Sequence, residues 1–360
     1  MERKEIIKRI IFLVIIIYIF LLSIQLMGAS FKLFGTDFAE KLVSLTTNPF
    51  IALFIGILAT AIVQSSSVTT SVIVGLTATG ALTIGNAIPL IMGANIGTSI
   101  TNTIVALGHI TRKEEFKRAF EMATIHDLFN FIVVLILFPL EQFTHLLERS
   151  AVFLTQFFLG SDMSIHFSSP LSYVLKPATH IIQILLFDNP IIMLGLSLIA
   201  LFFTLKYFGK IIRPLAESEF KHLLNRRLFN TPLKTFSIGL IITMIVQSSS
   251  ISTALLVPLA GAGILTLKRL FPYHLGANIG TTFTALMASL VIGAPAGVVV
   301  ALEHVLFNTF GSIMIYPIRR IPIAITTGLA SLSLRSRVYP LAYIASVFYL
   351  IPSTVIILVH

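Results

Sequence analysis

Apolar runs long enough to cross a membrane alternate with short polar clusters along the whole chain. The clearest runs cover residues 6–27, 116–140, 190–207, 298–318 and 342–359. A membrane-spanning helix needs about 20 apolar residues, so each run predicts one span. The runs at 141–159 and 322–334 are shorter and are candidates for interfacial helices, which periodicity alone does not decide. Between the spans the pattern changes character. From Leu42 to Thr111 there is no charged residue, yet Ser, Thr, Asn, Gln and Gly are abundant. Pro49, Gly75, Gly80, Gly85, Pro89, Gly93 and Gly97 interrupt this stretch every few residues. It predicts half-helices and re-entrant hairpins, which survive at membrane depth only when buried in protein or lining a cavity. The stretch from Thr235 to Leu302 repeats the pattern, with Lys268 and Arg269 as its only charges.

The repetition is literal. Gln64-Ser65-Ser66-Ser67 returns as Gln247-Ser248-Ser249-Ser250, and Gly93-Ala94-Asn95-Ile96-Gly97-Thr98 returns as Gly276-Ala277-Asn278-Ile279-Gly280-Thr281, both at an offset of 183. Without a gap, 56–101 and 239–284 share 22 identities in 46 positions. A third match, Ala123-x-x-His126-x-x-Phe129-Asn130 with Ala301-x-x-His304-x-x-Phe307-Asn308, follows at an offset of 178. Chance likeness between apolar segments would scatter Leu and Ile matches and would not align polar motifs. The chain therefore divides into repeat 1 (1–160), a linker (161–188) and repeat 2 (189–360).

Charge sets the relative orientation of the copies. Arg3, Lys4, Lys8 and Arg9 precede the first span, whereas Lys206, Lys210, Arg213, Lys221, Arg226 and Arg227 follow its counterpart. Arg112, Lys113, Lys117 and Arg118 precede the His126 helix, whereas Arg319 and Arg320 follow the His304 helix. Basic flanks stay on the cytoplasmic side, so the copies are expected to insert in opposite senses, with the N-terminus cytoplasmic and the linker outside. The expected fold is all-α: a multi-pass protein of the cytoplasmic membrane, built from two inverted repeats with broken, re-entrant helices. Inverted repeats are common in secondary transporters, whose site lies at the midplane between the halves.

Composition agrees and excludes other classes. Of 360 residues, 56% are hydrophobic and 11% charged, whereas a soluble domain carries about 25% charged residues. The net charge of +10 is spread over loops, with no basic domain, so nucleic acid is not an expected partner. Cysteine is absent, which removes disulfides and thiolate metal sites. The apolar run after Met1–Arg9 is too long for a signal peptide and reads as a retained span.

Gln-Ser-Ser-Ser places an amide and three hydroxyls within one turn. At the start of a half-helix, free backbone N–H groups and the helix dipole add to them and favour an anion. The same oxygens suit a hard cation such as Na⁺. An anion bound beside sodium needs no Lys or Arg, which accounts for a polar core almost without basic residues. Gly-Ala-Asn-Ile-Gly-Thr has two readings, tight helix packing through small residues or a binding segment containing Asn95 and Asn278. His126 and His304 are expected to bond structural partners. Asp127, replaced by Val305 in copy two, is either an ion ligand or a group near an interface. A serine nucleophile would need a base within reach, and the histidines that the two copies share are His126 and His304; a base duplicated with its nucleophile would be odd, so an enzyme is not expected.

At these motifs the chain resembles the type II sodium–phosphate cotransporter family, whose hallmark is the duplicated Gln-Ser-Ser-Ser followed by Gly-Ala-Asn-Ile-Gly-Thr. The stretches 98–105, 115–120 and 126–130 also look like that family. The resemblance covers roughly residues 40–320. It implies sodium-coupled symport of inorganic phosphate by alternating access, with no cofactor beyond the coupling ion. It implies a phosphate site drawn from Gln64, Ser65, Ser66, Ser67, Gln247, Ser248, Ser249, Ser250, Asn95 and Asn278. Sodium would use Gln64, Ser67, Thr98, Thr101, Gln247, Ser250, Thr281 and Thr284. Which hydroxyl meets which ion stays open, as do sulfate or arsenate as the oxyanion, a channel, and the oligomeric state. The disulfide-bonded loop and the C-terminal regulatory domain of some relatives are not expected here.

Overall fold

The computed structural model describes residues 3–160, 170–225, 228–336 and 338–359. Among them there are helices and no strands. The first half comprises α1 (Arg3–Phe34), α2 (Thr36–Thr46), α3 (Pro49–Val63), α4 (Ser66–Ala78), α5 (Ile84–Gly97), α6 (Ile100–Leu107), α7 (Lys113–Thr144) and α8 (Leu146–Leu159). Then follow α9 (Pro170–Leu185), α10 (Pro190–Asn225), α11 (Pro232–Val246), α12 (Ser249–Ala254), α13 (Leu256–Gly261), α14 (Leu267–Thr281) and α15 (Phe283–Ile292). The last elements are α16 (Pro295–Ile315), α17 (Arg320–Ser333), α18 (Val338–Ala345) and α19 (Ile351–Val359). Among the described residues seven helical segments are long and apolar enough to span a membrane, with α5–α6 and α14–α15 each counted as one. α2 and α3 form a further broken pair, bent by 102°.

All five long apolar runs are helices, as the pattern predicts. Their ends differ for local reasons. α7 runs past the apolar stretch to Thr144, and the chain turns at His145 in the left-handed region (φ 52°). Glu141 belongs to this end: its carboxylate accepts from the amides of Leu147 (2.6 Å) and Glu148 (3.2 Å). It thereby caps α8, which starts at Leu146 and not at 141. The linker is not irregular throughout, because α9 occupies 170–185 and packs on α1. A π turn at Ser346–Leu350 joins α18 to α19, where Pro352 lacks the N–H that would bond back into the helix. Part of the linker (161–169), Arg226, Arg227, and the side chains of Arg3, Lys4, Lys8, Arg9, Arg213 and Lys221 lie outside the described residues.

The copies meet their counterparts head to tail. α1 and α10, equivalent at the 183 shift, run antiparallel. Ser30 near the end of α1 donates to the carbonyl of Pro190 at the start of α10 (3.0 Å), while Leu13 and Ile16 cluster with Ile211 farther along. α7 and α16 cross with Val133 over Gly311, themselves equivalent at the 178 shift. Within each copy the hairpin is built by close backbone approach. A Cβ on Gly93 would overlap the carbonyl of Leu53, and one on Gly276 would overlap the carbonyl of Phe236. Only glycine lets α3 lie on α5, and α11 on α14, at this distance. The glycines of both Gly-Ala-Asn-Ile-Gly-Thr motifs therefore serve packing.

Candidate functional site

Each half-helix hairpin turns at its glutamine. α3 ends when Gln64 adopts the left-handed conformation (φ 56°, ψ 29°), its amide bonding the carbonyl of Thr60 at 2.7 Å. Ser65 is then extended (φ −151°) and caps α4, its hydroxyl accepting from the Val68 amide at 3.3 Å. The second copy repeats this within a few degrees. Gln247 (φ 54°, ψ 26°) ends α11 with its amide on Thr243 (2.7 Å), and Ser248 (φ −151°) caps α12 through the Ile251 amide (3.2 Å). A left-handed residue with a Cβ costs about 1–2 kcal/mol, which glycine would avoid. Retaining glutamine at both turns is a sign that the amide side chain has work there. The first-turn amides that follow have no intrahelical acceptor by position.

The fold brings the two turns together. Ser67 Oγ donates to the carbonyl of Gln247 at 2.8 Å, and Ser250 Oγ donates to the carbonyl of Thr98 at 3.1 Å. Thr284 lies 3.5 Å from Ser67, hydroxyl to hydroxyl. Asn102 and Thr253 close the arrangement, the Asn102 amide donating to Thr253 at 2.8 Å and the Thr253 hydroxyl lying 3.1 Å from Asn102 Oδ1. Beside these contacts is a cavity of about 290 Å³ whose polar lining comprises Gln64, Ser65, Thr101, Gln247, Ser248 and Ser250. Among the described residues no carboxylate lines it. Among the described residues its one charged group is Lys206 of α10, whose Nζ lies 5.9 Å from the centroid of the Phe202 ring.

Not every expected site residue lines this cavity. Ser67, Thr98 and Thr284 sit behind it through the bonds just given. Ser66 and Ser249 are buried at the first positions of α4 and α12, with their carbonyls accepting from Thr70 (2.8 Å) and Thr253 (2.6 Å). Asn95 stands apart as a strut between the copies. Its Oδ1 lies 3.3 Å from His304 Nε2 and accepts from Asn308 at 3.3 Å, while its carbonyl accepts from Asn130 at 2.8 Å. His304 therefore has a structural partner, as expected. Asn278, the equivalent of Asn95, is buried, and its Nδ2 has no partner among the described residues. His126 packs edge to face on His274, ring centroids 5.6 Å apart. Asp127 is fully buried, accepting from Tyr343 of α18 at 2.8 Å, with Thr103 at 3.4 Å.

Four hydroxyls of the expected set, on Thr98, Thr101, Ser249 and Thr281, are buried without a partner among the described residues. A buried polar group left unmatched costs about 1–3 kcal/mol, so such oxygens are retained where something else meets them. Neutral oxygens are the donor set a hard monovalent cation takes. Lys206 is the residue that the motifs do not reveal. It belongs to neither repeat motif and reaches the cavity only because α10 packs alongside the turns.

The sequence matches the family model described as Na⁺/Pi-cotransporter over two stretches, residues 19–164 and 200–335. It is 32% identical to sodium-dependent phosphate transport protein 2B of Homo sapiens, over 97% of this chain and 65% of that protein. It is 30% identical to sodium-dependent phosphate transport protein 2A of Ovis aries, over 94% of this chain and 66% of that one. The chain thus spans about two thirds of the length of these relatives. No solved structure matches it.

Proposed function

Because the chain belongs to the Na⁺/Pi-cotransporter family, we propose that it is a sodium-coupled symporter of inorganic phosphate whose site is formed by the two Gln-Ser turns. The observation that carries this reading is the convergence of both Gln-Ser pairs on one cavity with no carboxylate in its lining among the described residues. Phosphate there is met by the first-turn amides, the Gln64 and Gln247 side chains and the serine hydroxyls. Sodium is met by neutral oxygens, with Thr98, Thr101, Ser249 and Thr281 supplying hydroxyls that have no other partner among the described residues. Sodium binds first, and its charge then stabilises the anion in a site with one lysine at its edge.

Transport proceeds by alternating access. The antiparallel copies form a pair related by a pseudo-twofold, and rocking one against the other exchanges the side on which the cavity opens. The bonds from Ser67 to the Gln247 carbonyl and from Ser250 to the Thr98 carbonyl cross that boundary and are made and broken in the cycle. The protein spans the cytoplasmic membrane with its N-terminus inside, an orientation supported by the flanking basic residues.

The test is radiolabelled phosphate uptake into proteoliposomes holding the purified protein, under an inward Na⁺ gradient and then an equal K⁺ gradient. Accumulation with Na⁺ alone is expected. Equal flux in both salts would contradict sodium coupling and point to a channel or another coupling ion. Uptake of sulfate with indifference to phosphate would contradict the substrate.

A further inference from the structure

Copy two has an open groove where copy one carries larger side chains. The groove lies between α11, α14 and α16, has a volume of about 430 Å³ and is lined mainly by apolar side chains. At its edges Leu233 and Ile313 are 75% and 65% exposed, so it opens on the outer face of the bundle, where the lipid lies. Three substitutions between the copies explain the opening. Leu233, Thr309 and Ser312 line the groove, whereas the equivalent positions in copy one hold Phe50, Phe131 and Val134. There Phe50 stacks edge to face on Phe138 with ring centroids 5.0 Å apart.

The charges at the rim differ in the same way. Tyr316 and Pro317 close one end. Over it sits Arg319, its guanidinium 4.6 Å from the Tyr316 ring centroid and its Nη1 donating to the Tyr316 carbonyl at 3.0 Å. Arg320 begins α17 beside it, and Lys234 follows Leu233 at the start of α11; all three cations are exposed. No ion pair engages them among the described residues. Their counterparts in copy one are Glu141, Gln142 and Ile51. A cavity opened by small side chains thus coincides with three cations that meet no carboxylate among the described residues, and the equivalent positions of copy one hold no cation.

We propose that this groove binds an anionic phospholipid, one acyl chain lying between α11 and α16 and the headgroup phosphate on Arg319, Arg320 and Lys234. Apolar walls with a cationic end are what such a lipid requires, and a zwitterionic lipid gains little from the cations. This inference is independent of the phosphate transport reading, since it concerns the outer surface and not the cavity between the turns.

The chain contains no tryptophan, so Ile313→Trp places a single fluorophore on the groove's lip. The protein is reconstituted in phosphatidylcholine bilayers containing brominated phosphatidylglycerol or brominated phosphatidylcholine. Quenching by the brominated phosphatidylglycerol is expected to show about fivefold tighter association. The preference should vanish when Lys234→Gln, Arg319→Gln and Arg320→Gln are combined. Thr309→Phe, which restores the copy-one side chain, should reduce quenching by both lipids. Leu135→Trp, the equivalent position in copy one, is 73% exposed and should show no preference. Equal quenching by the two lipids at Ile313→Trp, or the same preference at Leu135→Trp, would overturn the proposal.

Discussion

The two Gln-Ser turns agree within a few degrees of backbone, yet what surrounds them does not. α4 runs unbroken from Ser66 to Ala78, whereas its counterpart is split into α12 and α13 at Leu255. The cause is one residue. Pro258 stands where copy one has Gly75, and proline cannot bond back to the preceding turn. Asn95 is held by His304 and Asn308, while Asn278 has no partner for its amide among the described residues. Asp127 is held by Tyr343, while Val305 is apolar. What the copies share is the turn and the glycine packing beneath it. What they do not share is the hydrogen-bond network around each turn.

That comparison can be broken in several places. The largest effect is expected at the shared packing. Gly93→Leu and Gly276→Leu each drive a side chain into a facing carbonyl and should each cost more than about 3 kcal/mol. Thermal unfolding in detergent, read by size-exclusion chromatography, should show both proteins aggregating. If one copy tolerated the change, the equivalence of the hairpins would fail.

Next come the turns. Gln64→Gly and Gln247→Gly relieve a left-handed residue while deleting an amide. The melting temperature should hold or rise, by up to about 1 kcal/mol in stability, while phosphate uptake falls at least about tenfold, the scale of a lost hydrogen bond to a charged ligand. A fall in melting temperature alongside uptake would assign the glutamines to structure.

The unlike struts give a smaller and one-sided effect. Asn95→Ala strands His304 and Asn308 and should cost about 1–3 kcal/mol. Asn278→Ala removes an amide without a partner and should cost less than half of that. Equal losses, measured as shifts in thermal midpoint, would mean that the copies are braced alike.

Lys206 should matter least. It is exposed, so its attraction for phosphate is screened. Lys206→Gln should raise KM about two- to fivefold at low ionic strength, with kcat unchanged, and the difference should shrink at high salt. A salt-independent loss of kcat would place Lys206 in the site proper.

Much of this was legible in the sequence, for a physical reason. Membrane spans are written as apolar length, and a duplication that keeps Gln64 and Gln247 in step shows itself without alignment to anything else. That Ser65 and Ser248 cap the half-helices is consistent with residue type, since serine caps helices, but only the structure assigns them as caps. The partners of these residues were not legible. Nothing local says that Ser250 meets Thr98 and not the mirror position, or that Asn95 turns away to His304. Lys206 was hidden because its role depends on how α10 lies against the turns. Glu141 was misread because a carboxylate ending an apolar run resembles a boundary, when here it caps the next helix. The groove of copy two required three dimensions, although Phe50, Phe131 and Val134 against Leu233, Thr309 and Ser312 are differences any alignment of the halves contains.

The central claim is that both turns together form the transport site. It is tested most directly by sodium-driven phosphate uptake in proteoliposomes with Gln64→Ala and Gln247→Ala, the two amides that line the cavity from opposite turns, each normalised to correctly inserted protein. The account predicts that each change alone lowers phosphate affinity or abolishes uptake. Uptake equal to that of the unaltered protein in both variants would contradict it.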